Sequence, residues 1–246
     1  MTTEFIFFAD LVLLLRLRLL MADSVVSWRA WLGKGLVEIL ALLLFTPHAF
    51  LLGAALTCIA LNLGAGFWDR RANGRNGGRL IFGLLQVVLL SLWFSPAGGV
   101  HFRPALGEWG QWIEGWSALG AEATRAGGRT GLLLLLGALL AANEANLVVR
   151  WLLVRLQIKP GSTGVMTGID AGEFNRGRII GLLERVLIYA FVLSGQYGAI
   201  GFTLAAKGFT RFKELEKRSF AEYVLVGTLL SSSLAMAIGW WIGSRL

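Results

Sequence analysis

Glu184 and Arg185 stand side by side in GLLERVLIYAF, residues 181–191, in the middle of an apolar run. Adjacent positions on a helix point about 100° apart, so the two cannot meet across one face and each needs its own partner. An arginine head can extend to a lipid phosphate or a neighbouring helix; a glutamate cannot reach so far. The next stretch, VLSGQYGAIGF, carries Gly195, Gly198 and Gly201 and reads as a hairpin break. With the turn near Gln196, the antiparallel neighbour of residue 184 falls near 208, flanked by Lys207 and Arg211. The expectation is an ion pair from Glu184 to one of these bases, with Arg185 directed elsewhere. Glu144 precedes Arg150 by six residues, and Glu222 lies near the start of the last apolar run. At 1.5 Å per residue, Glu144 and Glu184 sit about 9–10 Å from the basic boundary of their segments. Asn62, Asn143 and Asn146 fall at similar depths. Glu144, Glu184, Arg185, Lys207, Arg211 and Glu222 thus form a candidate polar layer in the inner leaflet. Ionisable groups in a membrane are costly, so such a layer is a candidate site. Three chemistries fit it: charge-paired staples between helices, a seat for an anionic headgroup or lipid-linked substrate, or an ion or proton path. Nearby lysines and arginines balance the acids, which counts against the last.

Two glycine-rich connections raise a second possibility. NGRNGGR (73–79) and PGSTGVMTGIDAGEFNRGR (160–178) both lack the Lys-Ser/Thr ending of a phosphate-binding P-loop. Backbone N–H groups in the second, with Arg176 and Arg178, are candidate phosphate or headgroup contacts; the alternative is a plain flexible loop. His48 and His101 have no metal-ligand companion at short spacing, and Cys58 is the sole cysteine, so no metal site, cofactor or internal disulfide is expected. Ser231, Ser232 and Ser233 have no nearby base. No triad, nucleophile elbow or dinucleotide fingerprint is present, and no catalytic residue is assigned.

The elements that must position these groups follow from composition. Of 246 residues, 56% are hydrophobic and 15% charged, with mean hydropathy +0.66. A soluble domain is nearer half apolar and a quarter charged. The reading is an all-α, polytopic helical membrane bundle forming one domain over 1–246. Its parts are N-terminal helices (1–95), an outer loop (96–130) and C-terminal helices (131–246). The net charge of +8 would suggest nucleic acid in a soluble protein. Here the bases cluster between apolar runs, as membrane topology demands, and no nucleic acid is expected. The N-terminus has Glu4 before its apolar stretch and Arg16 and Arg18 after it, the reverse of a signal peptide. It is expected to stay attached.

Apolar segments fall at 5–20, 33–46, 48–68, 79–95, 131–150, 178–194, 197–211 and 220–243. About six to eight membrane segments are expected; 5–20, 33–46 and 197–211 are short for a crossing, and any of them is a candidate for a re-entrant or interfacial helix. Pro47 in FTPHAF marks a tight turn. One side collects Arg16, Arg18, Arg29, Lys34, Arg70, Arg71, Arg75, Arg79 and the bases of 150–178 and 207–218. The other holds Arg103, Arg125, Arg129 and Arg245. If all eight cross, the positive-inside rule places both termini outside the cytoplasm of a bacterial cytoplasmic (inner) membrane.

In the outer loop, Trp109, Trp112 and Trp116 share one helical face, which suggests an amphipathic helix anchored in the outer interface. The alternative is a lid or a pigment or quinone contact. Gly227, Ser231, Ala235, Gly239 and Gly243 recur every four residues, as do Gly137, Ala141 and Ala145. Small residues so spaced let helices approach closely, within the chain or toward a partner.

The pieces GRIIGLLERVLI, GQYGAIGFTLAAK, RF and AEYVLVGTLLS, in this order over about the last quarter of the chain, resemble a bacterial integral membrane family known as domain of unknown function 3307. The resemblance implies membrane residence and no particular reaction. It also implies that Glu184, Arg185, Lys207 and Glu222 belong to one recurring pattern. In that family the N-terminal helix carries a histidine and an aspartate; here FIFFADLVLLL has Asp10 and no histidine. The expected function is a non-enzymatic membrane scaffold or accessory subunit. Its partners would be the bilayer, anionic headgroups, and other membrane subunits or further copies. The alternative is a membrane-embedded binder, transporter or transferase for a phosphate-bearing lipid.

Overall fold

The computed structural model describes residues 1–22, 24–72, 76–104, 121–157, 171–210 and 218–246. Their regular structure is helical, apart from one isolated bridge between Phe45 and Phe102. The helices are α1 (Thr3–Arg16), α2 (Trp28–Leu42), α3 (Ala49–Arg71), α4 (Asn76–Trp93), α5 (Ala121–Leu139), α6 (Ala145–Arg155), α7 (Ala171–Leu193), α8 (Tyr197–Thr210) and α9 (Arg218–Gly243). A π-helical turn, Leu140–Glu144, joins α5 to α6 without a break. Among the described residues, four stretches are long and apolar enough to cross a membrane: Ala49–Arg71, Asn76–Trp93, Gly128–Arg155 and Ala221–Gly243. The chain divides into two compact units, Met1–Leu136 and Gly137–Leu246.

In the first unit α1 to α4 pack on one another. The Thr2 hydroxyl caps α1 by accepting from the Phe5 N–H at 3.3 Å, with Glu4 in the first turn and Arg16 in the last. These are the residue types that suit the two ends of a helix dipole. The chain then tightens into a 3-10 turn, Leu17–Met21. Phe8, Phe45, Phe94 and Phe102 cluster at one end, two pairs stacked and two edge to face, with neighbouring ring centroids 4.9–6.2 Å apart. There residues 101–103 lie along the α2–α3 turn: the Thr46 N–H donates to the His101 carbonyl and the Arg103 N–H to the Leu44 carbonyl, both at 2.9 Å.

Four helices start clearly earlier than the sequence reading placed their apolar segments: α5 begins at Ala121, inside the expected outer loop, α7 begins at Ala171, inside the expected glycine-rich loop, and α2 and α4 begin early as well. Helix α2 starts at Trp28, so Lys34 is inside a helix and not in a connection. Helix α4 starts at Asn76, so the second half of NGRNGGR is helical. Packing extends both helices: Trp28 lies on Gly66 of α3, where a Cβ would come within 2.7 Å of the indole, and Arg79 is held by Asp69.

In the second unit α7, α8 and α9 pack together, and α9 also meets α6. Helix α7 stops where the glycines suggested. Gly195 has φ +69°. The Gln196 N–H donates to the Phe191 carbonyl at 2.8 Å, and the Gly195 N–H to the Val192 carbonyl at 3.1 Å, the double closure of a helix that ends on a left-handed residue. Gly198 and Gly201, expected in the break, lie inside α8.

Candidate functional site

The second unit holds most of the expected polar layer. Glu184 on α7 forms an ion pair with Lys207 on α8, across the short turn at Gly195. Arg185 turns the other way. Its Nε donates to the Ala141 carbonyl at 2.8 Å, one terminal nitrogen donates to the Ala142 carbonyl at 3.0 Å, and the other lies 3.4 Å from the Ser231 hydroxyl. Both carbonyls belong to the π turn. A π turn disturbs the regular i to i+4 ladder, so backbone carbonyls there need other donors. A planar guanidinium supplies two from one side chain. Arg185 is 4% exposed, which makes it the lock between α7 and the deformed α5–α6 helix. Glu144 accepts from the Asn143 amide at 2.9 Å, and Glu222 lies exposed near the start of α9. Arg211 and the three tryptophans Trp109, Trp112 and Trp116 lie outside the described residues, as does the side chain of Arg176. Arg178 sits in α7 and is buried, 9% exposed, where a loop contact was expected.

The small-residue stripe of α9 faces α6 and α7. Ala235 is fully buried with Ile188, Val192 and Ile200. A Cβ on Gly239 would fall 2.8 Å from the Val192 Cβ, while one on Gly227 would rest 3.7 Å from Leu153. On α5, Gly137 lets the ring of Tyr189 in, with a hypothetical Cβ only 2.4 Å from its hydroxyl.

Sequence reasoning missed the densest polar site, which lies in the first unit. Lys34 and Glu38 of α2 meet Asn62 of α3 and Gln86 of α4, all four between 0 and 7% exposed. The Lys34 ammonium donates to Glu38, to the Asn62 amide oxygen at 2.9 Å and to the Gln86 amide oxygen at 2.9 Å. The other Glu38 oxygen accepts from the Asn62 amide at 2.6 Å and the Gln86 amide at 2.9 Å. An ammonium has three donors, and all three are engaged. Asn62, grouped by depth with Glu144 and Glu184 in the sequence reading, belongs to this network. One signal for it was present: Lys34 and Glu38 are opposite charges at i and i+4 in an otherwise apolar run.

A second closed network lies nearby. Arg79 is paired with Asp69 at 2.8 Å and also donates to the Ala22 and Ser24 carbonyls at 2.8 and 2.7 Å. Asp69 in turn accepts from the Val26 N–H at 2.7 Å. Arg16, 2% exposed, donates to the Arg79 carbonyl at 3.0 Å. Arg16, Lys34 and Arg79 were therefore misread as bases of exposed connections. Among the described residues of the first unit, the exposed ones on that side are Arg18, Arg29, Arg70 and Arg71. Asp10 is different in kind: it is 2% exposed, and among the described residues neither carboxylate oxygen has a hydrogen-bond partner.

No protein-family model, curated protein or solved structure matches the chain. What the fold defines is a class: an all-helical protein with, among the described residues, four helices of membrane-crossing length and composition.

Proposed function

We propose that the chain is a multi-pass protein of the bacterial cytoplasmic membrane that works as a scaffold or accessory subunit and catalyses no reaction. Four membrane-length helices support the membrane setting. In this reading α7 crosses as well, and the shorter α1, α2 and α8 bring the number to six to eight; with all eight crossing, both termini lie outside. The resemblance of the C-terminal quarter to a membrane family agrees with it.

The observation that carries the scaffold reading is the closure of the buried networks. Lys34, Glu38, Asn62 and Gln86 use their charged donors and acceptors on one another. Arg185 is committed to backbone carbonyls and Glu184 to Lys207. A catalytic or transport site needs a lone pair or proton left open toward a ligand. Closed networks instead fix the register of helices that lipid alone would not orient.

The test is purification of the tagged chain in mild detergent, with quantitative mass spectrometry of whatever accompanies it. A scaffold brings a second membrane protein, or a second copy, at fixed stoichiometry. Recovery of a lone monomer, together with no crosslinked species in intact membranes, rejects the reading.

A further inference from the structure

Between α2 and α3 runs a groove of about 390 Å³. Two glycines on α2 form it. Gly33 has nothing within 4 Å of where its Cβ would be, and Gly35 faces Asn62 at 3.6 Å. Along α2 the wall extends from Trp28 to Ile39, eleven steps of 1.5 Å, or about 16 Å. Volume over length gives about 24 Å² for the track open to the centre of a water; a water radius of about 1.4 Å added on each side makes the slot about 8 Å across. A helix with its side chains is about 10–12 Å wide. The groove is therefore too narrow for a helix and suits one hydrocarbon chain. Its edges are apolar and outward-facing: Leu36 and Leu63 are 59% and 41% exposed.

One end of the groove differs. The Arg70 guanidinium lies over the Trp28 ring, 5.5 Å from its centroid. Arg71, the next residue and the last of α3, is exposed, and Arg29 is exposed on the face that carries Leu32, Gly33 and Leu36. Trp31, which lines the groove, is 4% exposed, and its indole N–H has no acceptor among the described residues. An apolar slot ending in three arginines and a buried, unanswered donor matches a chain ending in an anionic, oxygen-rich head.

We propose that this groove binds one acyl chain of an anionic phospholipid, with the phosphate held by Arg70 and Arg71 at the Trp28 end. A lipid bound here serves a scaffold and a free-standing protein alike, so the proposal does not rest on the function proposed above.

The full chain, delipidated in detergent, is titrated with phosphatidylglycerol and, separately, with diacylglycerol of the same chains. Bound lipid is counted by native mass spectrometry. The wild type is expected to bind one phosphatidylglycerol at least tenfold more tightly than diacylglycerol. Gly33→Leu, which grows into open space, should weaken that binding at least tenfold and leave the lipid-free thermal midpoint unchanged. Leu36→Trp, on the exposed groove wall, serves as the second blocking variant. Arg70→Gln with Arg71→Gln should reduce phosphatidylglycerol binding to the diacylglycerol level. Wild-type binding in both blocking variants overturns the proposal, and so does equal affinity of the wild type for the two lipids. Loss of a protein partner or second copy from the blocked variants, with lipid binding intact, assigns the groove to a protein and overturns it too.

Discussion

Lys34 shows how a buried charge becomes tolerable. Its ammonium is out of water, yet each N–H has an acceptor, and one acceptor carries the opposite charge. Removing one member of such a pair strands the other, which costs about 3–5 kcal/mol in a buried setting, whereas removing both can be nearly neutral. Lys34→Met should therefore lower the thermal midpoint markedly in detergent. Lys34→Met combined with Glu38→Leu should recover much of the loss, because no charge is then left buried without its counter-charge. Equal midpoints for the single and double variants would show that Glu38 does not depend on Lys34. Asp10 gives the contrast: it is as deeply buried and has no hydrogen-bond partner at either oxygen among the described residues.

At the scale of helices, close approach decides stability. In lipid there is no hydrophobic drive between helices, so packing contacts and interhelical hydrogen bonds carry the association. On α9 the two ends of the small-residue stripe are not equivalent. Gly239→Ala brings a methyl against the Val192 Cβ, and overpacking of this kind costs about 1–3 kcal/mol; Gly227→Ala makes an ordinary contact with Leu153. Comparing the thermal midpoints of the two variants tests this, and a Gly239→Ala protein as stable as wild type contradicts the packing. The α7–α8 hairpin makes a parallel prediction. Lys207→Ala leaves Glu184 without its partner, so it should destabilise more than Lys207→Ala with Glu184→Gln. A double variant no better than the single one would mean that the pair contributes nothing. Length matters at this scale as well. At 1.5 Å per residue α2 and α8 span about 21–22 Å against a hydrocarbon core of about 30 Å. They can cross only with flanking residues or a locally thinner bilayer.

For the whole molecule, the proposed orientation puts the Arg70–Arg71 end of α3 in the cytoplasm and the segment after α4 outside. In a Cys58→Ala background, a cysteine at Arg71 should resist an impermeant maleimide in intact cells, and one at Ala97 should react; both positions are exposed. The opposite pattern inverts the topology. The orientation rests on fewer charges than a count along the chain suggests, since Arg16, Lys34 and Arg79 are buried. Arg18, Arg29, Arg70 and Arg71 in the first unit and Arg155 in the second remain to mark that side among the described residues.

The helices were legible in the sequence because hydropathy is a local sum: each of the eight apolar segments falls largely within helix. The Glu184–Lys207 pair was legible for a related reason. A short glycine turn fixes which residues of two antiparallel helices face each other, so counting from Gly195 is enough. The Lys34–Glu38–Asn62–Gln86 network was not, because it joins three helices. Which face each helix turns inward depends on all its neighbours at once. A lysine near a segment end looks the same in sequence whether it meets water or a buried glutamate. The π turn is likewise invisible locally: the carbonyls of Ala141 and Ala142 are held by Arg185, more than forty residues away in the chain. Composition and short-range spacing determined the elements and the hairpin pair. Only tertiary packing, which sets each helix's rotation about its axis, decided which charges are buried and what each one touches.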